Sequence, residues 1–385
     1  MRTIAGAPLQ TGSQDGISDA ARFNDPAAIA ADSAGNIFLA DSRNQLIRRI
    51  SNTGVVTTIQ TSGEKFVTPS GIAVSSQGLI ISDACAHVIR RINPDGSTVT
   101  IAGSIGQPGF EDGSGIAARF DTPLGVAVGN NEVIYVADCG NHTIRAISSD
   151  GIVSTIAGFP GAWGTADGQG AAARFNGPIG LALDAEGTLY VSDSNNHTIR
   201  KVAPAGDVST FAGVPLESGF ANGDRRHARF FQPAELAFDR NNALYVADSM
   251  NHAIRKISSD GNVSTVTGFS NRPGSEDGEN GRAHLYNPYG VTVLSSGELV
   301  ISDSYNQTIR KAVPPAILGI SGGRAVSLRW NSVIGQNYQI QLSDGSFQTW
   351  SDFTDPVQAT GFTSSVSLPS PGGPNVFRLI VKPRQ

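Results

Sequence analysis

The chain has 385 residues, 28 basic and 33 acidic side chains, a net charge of −5 and a mean hydropathy of −0.10. This composition is typical of a globular protein with a core, and no run of 18 apolar residues predicts a membrane span. Five basic and three acidic residues follow position 313, which leaves a net −7 for residues 1–313 and argues against nucleic acid as a partner.

The first residues read MRTIAGAPLQ, without the basic and apolar regions of a signal peptide. The sequence therefore leaves two possibilities open, a cytoplasmic protein or the mature form of an exported one. Residues 2–6, RTIAG, also match a phrase that returns as TIAG at residues 155–158. This match indicates that the chain begins inside a repeated pattern.

One phrase, Asp-x-x-Asn-x-x-Ile-Arg, dominates the chain. Its six copies begin at Asp41, Asp83, Asp138, Asp193, Asp248 and Asp303, at spacings of 42, 55, 55, 55 and 55 residues. Each copy is flanked by short runs rich in Val, Ile, Thr and Tyr, with Gly, Asn and Asp between them. The pattern predicts four antiparallel strands, a to d, in each unit.

A single four-stranded sheet cannot bury both of its faces, whereas a ring of such sheets can. The sequence therefore predicts an all-β, six-bladed β-propeller over residues 1–313. The sixth unit stops at Pro314 without a fourth strand. We expect residues 2–6 to supply that strand and to close the ring.

Phrases such as IYVADCGNHTIRAI and LYVSDSNNHTIRKV resemble NHL repeats, and TIAG…DG…ARF…P is similar to a long-loop variety common in bacterial proteins. The resemblance covers residues 1–313 and implies the propeller fold. It leaves function open, because NHL-like propellers include protein-binding and RNA-binding modules and have relatives that are lyases or hydrolases. Blade 2 departs from the pattern, since Ala86 replaces the Asn and the preceding loop is 13 residues short.

The polar residues of the repeated phrase are interpreted as structural. Each Asp ends strand b and accepts turn amides, each Asn suits a left-handed turn, and each Arg on strand c meets a carboxylate or carbonyl groups. His142, His197 and His252 share one repeat position in three different blades. They are therefore predicted to be scaffold residues, because a shared metal site needs ligands that converge on one ion.

The d–a connections carry a second repeat, Asp-Gly followed by Ala-Arg-Phe-x-x-Pro. Asp-Gly is a strong turn former, and one or two carboxylates per loop are too few for a calcium loop. The Phe of this phrase is expected to wedge between blades. It stands at Phe23, Phe66, Phe120, Phe175 and Phe230, with Leu285 in its place in blade 6.

Candidate ligand-binding residues are those that break the repeat on the face of the b–c turns and d–a connections, which we call the loop face. Trp163 offers a stacking surface for a sugar or an anchor for a partner, or else packs inside its own loop. Glu235 replaces a glycine at the start of strand a and is expected at the mouth of the central channel, with Tyr289 in a comparable place. Arg225 and Arg226 form an adjacent basic pair in a d–a connection.

The two cysteines, Cys85 and Cys139, are too few for a disulfide framework or a cysteine-rich zinc site. They lie in neighbouring blades at different offsets from the repeated Asp, so their pairing as a disulfide stays an open alternative. The short loop before blade 2 is expected to leave a notch near Cys85 and His87.

From residue 314 the repeat is absent. Segments such as AVSLRWNSV, NYQIQLSD and NVFRLIVKP alternate in the manner of strands and predict a small β-sandwich over residues 314–385. The stretch YQIQLSDGSFQTWSDF resembles fibronectin-III-like domains of secreted bacterial proteins. That resemblance implies an adhesive or spacer role and a location outside the cytoplasm.

No nucleophile elbow, phosphate loop or zinc-protease motif is present, and no catalytic residue, metal ligand or cofactor is assigned. We therefore expect a non-catalytic, exported bacterial scaffold that binds a protein or glycan on the loop face. The alternative is a lyase or lactone hydrolase with chemistry at the channel mouth. RNA binding is the least favoured hypothesis, because the propeller is acidic.

Overall fold

The computed structural model of the chain describes residues 1–278 and 282–312, together with the backbone of seven strands after residue 316. Residues 1–312 form an all-β propeller of six sheets, which confirms the predicted six blades. Each sheet runs antiparallel from an inner strand a to an outer strand d.

The strand bounds follow the repeated phrases closely. Strands a are Pro26–Ala31, Pro69–Ser75, Pro123–Val128, Pro178–Leu183, Pro233–Phe238 and Pro288–Val293. Strands b are Ile37–Asp41, Gly78–Asp83, Ile134–Asp138, Leu189–Asp193, Leu244–Asp248 and Leu299–Asp303. Strands c are Leu46–Ile50, Val88–Ile92, Thr143–Ile147, Thr198–Val202, Ala253–Ile257 and Thr308–Ala312. Strands d of blades 1 to 5 are Val55–Thr58, Thr98–Gly103, Ile152–Ala157, Asp207–Ala212 and Asn262–Gly268.

In blade 6, strand c pairs on its outer side with the first strand of the chain, Arg2–Ala5. Arg2 lies opposite Lys311 and Thr3 lies opposite Arg310. The Thr3 backbone N–H and hydroxyl also donate to Asp277, at 2.8 and 3.0 Å. The N-terminal residues are therefore bonded to the sixth unit through both backbone and side chains.

The prediction of four strands per blade is wrong for blades 1, 3, 4 and 5, which carry a fifth, outermost strand. These two-residue strands are Gly16–Ile17, Gly113–Ser114, Gly168–Gln169 and Gly223–Asp224. Each descends from a d–a connection and pairs with strand d of the blade that follows. The long connections therefore fold back along the outer rim as well as crossing the loop face.

Short 3-10 helices occupy two kinds of turn. Those in the b–c turns are Ser42–Asn44, Ala84–Ala86, Ser194–Asn196, Ser249–Asn251 and Ser304–Asn306. Those in the d–a connections are Ser18–Ala20, Gly115–Ala117 and Gly170–Ala172. None of them is long enough to form a separate helical layer. No helix in the described part of the chain has the length and apolar character to cross a membrane.

The hydrophobic core is divided among the interfaces between neighbouring blades. Phe120, for example, packs with Ile80 and Ile89 of blade 2 and with Val126 of blade 3. This confirms the predicted wedge, and burying one such ring stabilises the fold by roughly 1.5–3 kcal/mol. Leu285 takes the same place in the interface of blades 5 and 6.

After residue 316 the structure places two sets of antiparallel strands. One sheet contains Ile317–Ser321, Ala325–Asn331 and Thr363–Pro369. The other contains Asn337–Ser343, Ser351–Asp352, Val357–Gln358 and Val376–Lys382. The backbone in these strands is extended, as the alternating sequence predicts. The aromatic side chains expected to build this core, Trp330, Tyr338, Trp350 and Phe377, lie outside the residues whose side chains the structure describes.

Candidate functional site at the channel mouth

The repeated Asp, Asn and Arg form one buried network in each blade that keeps the full phrase. In blade 3, Asp138 accepts hydrogen bonds from Asn141 Nδ2 at 2.8 Å and from Arg145 Nη1 at 2.7 Å, and its other oxygen accepts the Asp121 N–H at 2.8 Å. Burial raises the pKa of Asp138 to about 6 against the lowering effect of Arg145. The structural interpretation of these residues is confirmed.

The same arginines also hold the d–a connections. Arg145 Nη2 donates to Asp112 Oδ1 at 2.7 Å, and its guanidinium carbon lies 5.0 Å from the centre of the Phe120 ring. Corresponding pairs join Arg48 to Asp15, Arg200 to Asp167, Arg255 to Asn222 and Arg310 to Asp277. The Asp-Gly turns therefore do more than reverse the chain, because their carboxylates accept from a buried arginine.

The repeated histidines form hydrogen bonds that join blades 3, 4 and 5 to the blades that follow them. His142, His197 and His252 adopt left-handed backbone conformations, and each Nδ1 accepts a backbone N–H from the residue before the next blade's strand a. The three acceptor distances are 3.1, 3.3 and 3.2 Å. Burial lowers the pKa of all three imidazoles. They are separate scaffold contacts, and no group of three or more metal-binding side chains occurs among the described residues.

The two cysteines are both free, so the disulfide alternative is not realised. Cys85 is exposed on its turn. Cys139 is half-buried at the position where Ser42 and Ser249 donate to the carbonyl of the following blade's strand a. Burial raises the pKa of the Cys139 thiol to about 12.

Glycines at the start of strand a allow the inner strands of neighbouring blades to approach closely. A Cβ atom added at Gly125 would collide with the carbonyl oxygen of Ile179 in the next blade, and one at Gly71 would collide with that of Leu124. Position for position, Glu235 replaces this glycine in blade 5. Its side chain is therefore directed at the inner strand of blade 6.

Glu235 is only 8% exposed. Burial raises the pKa of its carboxyl to about 8, and only the Leu236 N–H opposes this rise. Among the described residues, no cation pairs with it. An unpaired, buried carboxyl is costly to fold around, and this marks Glu235 as a candidate functional group.

Tyr289 lies on strand a of blade 6, within electrostatic range of Glu235. It is half-buried and packs against apolar residues of the interface between blades 1 and 2 as well as that between blades 5 and 6. Burial raises its pKa well above 10, and the nearby charges of Glu235, Cys139 and Asp25 act in the same direction. The ring therefore lies near the axis of the propeller, within electrostatic range of three other blades.

Asp25 and Cys139 lie within electrostatic range of the Tyr289 hydroxyl, and the sequence analysis assigned neither of them to the site. Asp25 precedes strand a of blade 1, where Gly177 and Asn287 stand in other blades, and burial raises its pKa against the pull of Arg43. Its left-handed backbone, with φ of 58°, is a conformation that Asp adopts more readily than most residues, and Thr122, Gln232 and Asn287 share it at this repeat position. The position before the strand-a proline holds Asp25, Thr68, Thr122, Gly177, Gln232 and Asn287, so no repeat signal in the sequence marks Asp25.

The structure separates the other predicted site residues from Glu235 and Tyr289. Trp163 is 62% exposed on the connection that leads to blade 4. Arg225 and Arg226 follow the fifth strand of blade 5, which is the outermost strand of its sheet. Arg225 stacks 4.7 Å from the Phe211 ring, and Arg226 pairs with Asp224 at 3.5 Å. Of the candidates, Glu235 and Tyr289 lie within electrostatic range of each other.

The chain contains NHL repeats, since a family model described as NHL repeat matches residues 120–147, 175–202 and 285–312. It is similar to NHL repeat-containing protein 2 of Bos taurus, with 32% identity over 276 residues. That alignment covers 62% of this chain and 37% of the bovine protein, so the chain spans well under half of its relative.

Solved structures with little sequence identity share the fold. An auxiliary nutrient binding protein from Bacteroides thetaiotaomicron superposes with a TM-score of 0.64 and 16% identity, over 80% of this chain and 75% of that protein. A streptogramin B lyase superposes with a TM-score of 0.51 and 15% identity, over 82% and 93% of the two chains. Binding proteins and enzymes thus both use this propeller.

Proposed function

We propose that this protein is a non-catalytic binding scaffold that holds a protein or glycan partner on its loop face. The observation that carries the proposal is the distribution of exposed apolar side chains. Large hydrophobic residues are exposed on the d–a connections or b–c turns of every blade. They are Leu9, Val67, Ile105, Phe110, Phe159, Trp163, Leu216, Phe220, Met250 and Tyr305, while four other exposed hydrophobic residues, Ile17, Val99, Ile116 and Ile152, lie on or beside the outer strands.

Exposed apolar side chains on one face mark an interaction surface, because each costs solvation without adding to the core. The mixture of Leu, Ile, Phe and Trp favours a protein partner, for which aromatic anchors supply much of the binding energy. Trp163 by itself also suits stacking on a sugar ring. The likeness to a nutrient-binding propeller supports ligand binding as the general role.

Capture of partners by the immobilised chain, together with a glycan array, tests this proposal. Trp163→Ala should weaken binding of any captured partner at least tenfold, and Phe110→Ala should weaken it further. Ile152→Ala is the matched control, because Ile152 is also exposed but lies on strand d of blade 3. Equal binding by all three variants would contradict a site on the loop face.

A second candidate function is catalysis at the channel mouth, and the raised pKa of Glu235 favours it. A carboxyl with a pKa of about 8 is protonated at neutral pH and suits general acid catalysis. Turnover of lactones or streptogramin-like cyclic esters that is lost in Glu235→Gln would establish an enzyme. Turnover that persists in this variant would remove Glu235 from the mechanism.

The pairing of Arg2–Ala5 with strand c of blade 6 supports our proposal that the N-terminal strand closes the ring. Deleting residues 1–6 should expose the edge of blade 6 and leave Asp277 without its Thr3 donors. We expect a clearly lower melting temperature than for the full chain. An unchanged melting temperature would show that the ring does not depend on this strand.

We further propose that residues 314–385 form a fibronectin-III-like sandwich and that the protein is bacterial and exported. The two sets of antiparallel strands after residue 316 support the sandwich, and the sequence resemblance of this segment supports export. Expressing residues 314–385 alone tests the first point, through a cooperative thermal transition. Locating the full-length protein by cell fractionation of its source tests the second.

A further inference from the structure

We propose that Arg90 and Thr100 form a binding site for a carboxylate at the outer edge of blade 2. The source that the geometry favours is an aspartate side chain of a protein partner, presented together with the peptide carbonyl that precedes it. A free carboxylate such as acetate carries the same charged group without that carbonyl. The site goes beyond the loop-face proposal, because it depends on the outer strands of one blade and on none of the exposed apolar side chains.

The first argument is a contact that the other five blades share. In blade 3, Asp112 Oδ1 accepts from Arg145 Nη2 at 2.7 Å and from the Thr155 hydroxyl at 3.1 Å. Arg145 Nη2 also donates to the carbonyl of Glu111, the residue before the aspartate, at 3.0 Å. The same three contacts recur at Asp15, Asp167, Asn222 and Asp277. One arginine and one threonine per blade therefore hold a side-chain oxygen and a carbonyl of the d–a connection.

The second argument is that blade 2 keeps these donors and lacks their acceptors. Arg90 and Thr100 lie opposite each other on strands c and d, as Arg145 and Thr155 do in blade 3. The connection before blade 2 is 13 residues short and contains no Asp-Gly turn, and strand d is the edge of its sheet. Among the described residues, Arg90 donates from Nη1 to the Glu64 carbonyl at 3.1 Å, whereas its Nη2 and the Thr100 hydroxyl make no hydrogen bond.

The third argument is that the arginine is held in place. Arg90 is 2% exposed, its Nε lies 3.2 Å from Asp83 Oδ2, and its guanidinium carbon lies 5.5 Å from the centre of the Phe66 ring. A guanidinium presents its donors in a rigid plane that matches a carboxylate, and such charge-assisted hydrogen bonds are stronger than neutral ones. The unused Nη2 is therefore a fixed donor for an incoming carboxylate.

Glu64 places a carboxylate near the site without filling it. Its Oε2 lies 3.7 Å from Arg90 Nη1, which is beyond hydrogen-bonding distance, and its side chain is 65% exposed. The contact shows that the guanidinium can be approached from the solvent. Because Glu64 is negatively charged, it should weaken the binding of a second carboxylate at Arg90.

The size of the ligand follows from what already lies along the edge of blade 2. The Thr98 N–H donates to the Ser62 carbonyl at 2.9 Å. Thr98 takes the place that Val153 has in blade 3, where Gly113 of the fifth strand pairs with it. Ser62 therefore blocks the pairing of an added strand at this point, and the site suits a short acidic segment whose aspartate reaches Arg90 and Thr100.

Titration of the full chain with Nα-acetyl-aspartate amide, followed by NMR, tests the site. The acetyl carbonyl of this probe stands for the Glu111 carbonyl, and its carboxylate stands for that of Asp112. We expect saturable binding, and we expect Nα-acetyl-asparagine amide to bind about tenfold more weakly because it has no charge. Glu64→Gln should strengthen binding of the aspartate derivative by removing the competing carboxylate.

Thr100→Val keeps the shape of the side chain and removes its hydroxyl. It should weaken binding of the aspartate derivative about tenfold, through the loss of one hydrogen bond to a charged group. Thr155→Val is the matched control, since the Thr155 hydroxyl already donates to Asp112, and it should change binding less than about twofold.

Two results would overturn the site: the aspartate derivative does not bind, or Thr100→Val binds it as the unaltered protein does while its thermal transition is intact. Tighter binding of the aspartate derivative than of acetate supports a peptide aspartate as the source, and equal or reversed affinities contradict that source. Trp163→Ala should leave aspartate binding unchanged. Failure of the loop-face proposal and failure of this site are therefore distinguishable.

Discussion

Blades 3 and 5 meet their following neighbours in two different ways. At the inner end of blade 3, Gly125 lets the strand of blade 4 come into close contact, and every buried carboxylate nearby has an arginine. At the same place in blade 5, Glu235 fills the glycine position and has no cation among the described residues. The comparison indicates that the repeated polar residues stabilise the scaffold. A buried carboxyl without a cation occurs where one unit departs from the repeat.

The largest loss of stability is expected from a substitution in the buried Asp–Asn–Arg network of blade 3. Asp138→Ala leaves Arg145 buried without its main partner and should destabilise the protein by about 3–5 kcal/mol. The free energy of unfolding in urea measures the loss. Arg226→Ala is the control, since the Arg226–Asp224 pair is exposed and should contribute less than about 1 kcal/mol. Similar losses in both variants would contradict the structural interpretation of the repeat.

The second prediction concerns the pH dependence that Glu235 creates. Its pKa is about 8 in the folded chain against 4.5 for the free group, so the native state binds the extra proton between these values. Stability from this group is full below pH 4.5 and is lost as the pH rises through 8. Glu235→Gln should therefore gain stability relative to the unaltered protein by roughly 2–4 kcal/mol between pH 5 and pH 9.

Unfolding free energies of both proteins at several pH values measure this difference, which isolates Glu235 from all other titrating groups. A difference that stays constant with pH would show that the carboxyl titrates normally in the folded protein.

The third prediction concerns the close approach at blade 3. Gly125→Ala places a Cβ against the Ile179 carbonyl and should cost about 1–3 kcal/mol through displaced backbone. Ala28→Gly tests the same repeat position in blade 1, where a methyl group is already accommodated, and should cost about 1 kcal/mol. Denaturant titration of both variants compares the two interfaces. A smaller loss for Gly125→Ala than for Ala28→Gly would refute the packing rule.

The smallest effect is expected at the histidine contacts between blades. The pKa of His197 is lowered in the folded chain, so its contribution is full above pH 6.5 and is lost as the pH falls below that value. Gln307 accepts the equivalent N–H of Asp25 at 2.7 Å without titrating, so His197→Gln preserves the contact. The melting temperature of this variant should fall less than that of the unaltered protein between pH 7.5 and pH 5.5. Parallel decreases would contradict the role of the imidazole.

The repeat made much of this architecture predictable. Six copies of the phrase from Asp41 to Asp303 fix the number of blades, and the alternation around them fixes the strand bounds. The role of Arg145 was predictable for the same reason, since a guanidinium on a buried strand requires an acceptor. The fifth strands were not, because two residues such as Gly16–Ile17 carry no periodic pattern and pair only when strand d offers an edge.

The candidate site, like the fold, was predictable from the sequence only in part. The sequence by itself determined that Glu235 and Tyr289 are unusual, because each differs from its counterparts at one repeat position. Only the tertiary structure decided that they lie within electrostatic range of each other, that Glu235 is buried without a cation among the described residues, and that Arg225 and Arg226 follow the outermost strand of blade 5. The physical reason is that residues 54 positions apart meet through the packing of neighbouring blades, and local periodicity carries no information about which side chains a closed ring brings together.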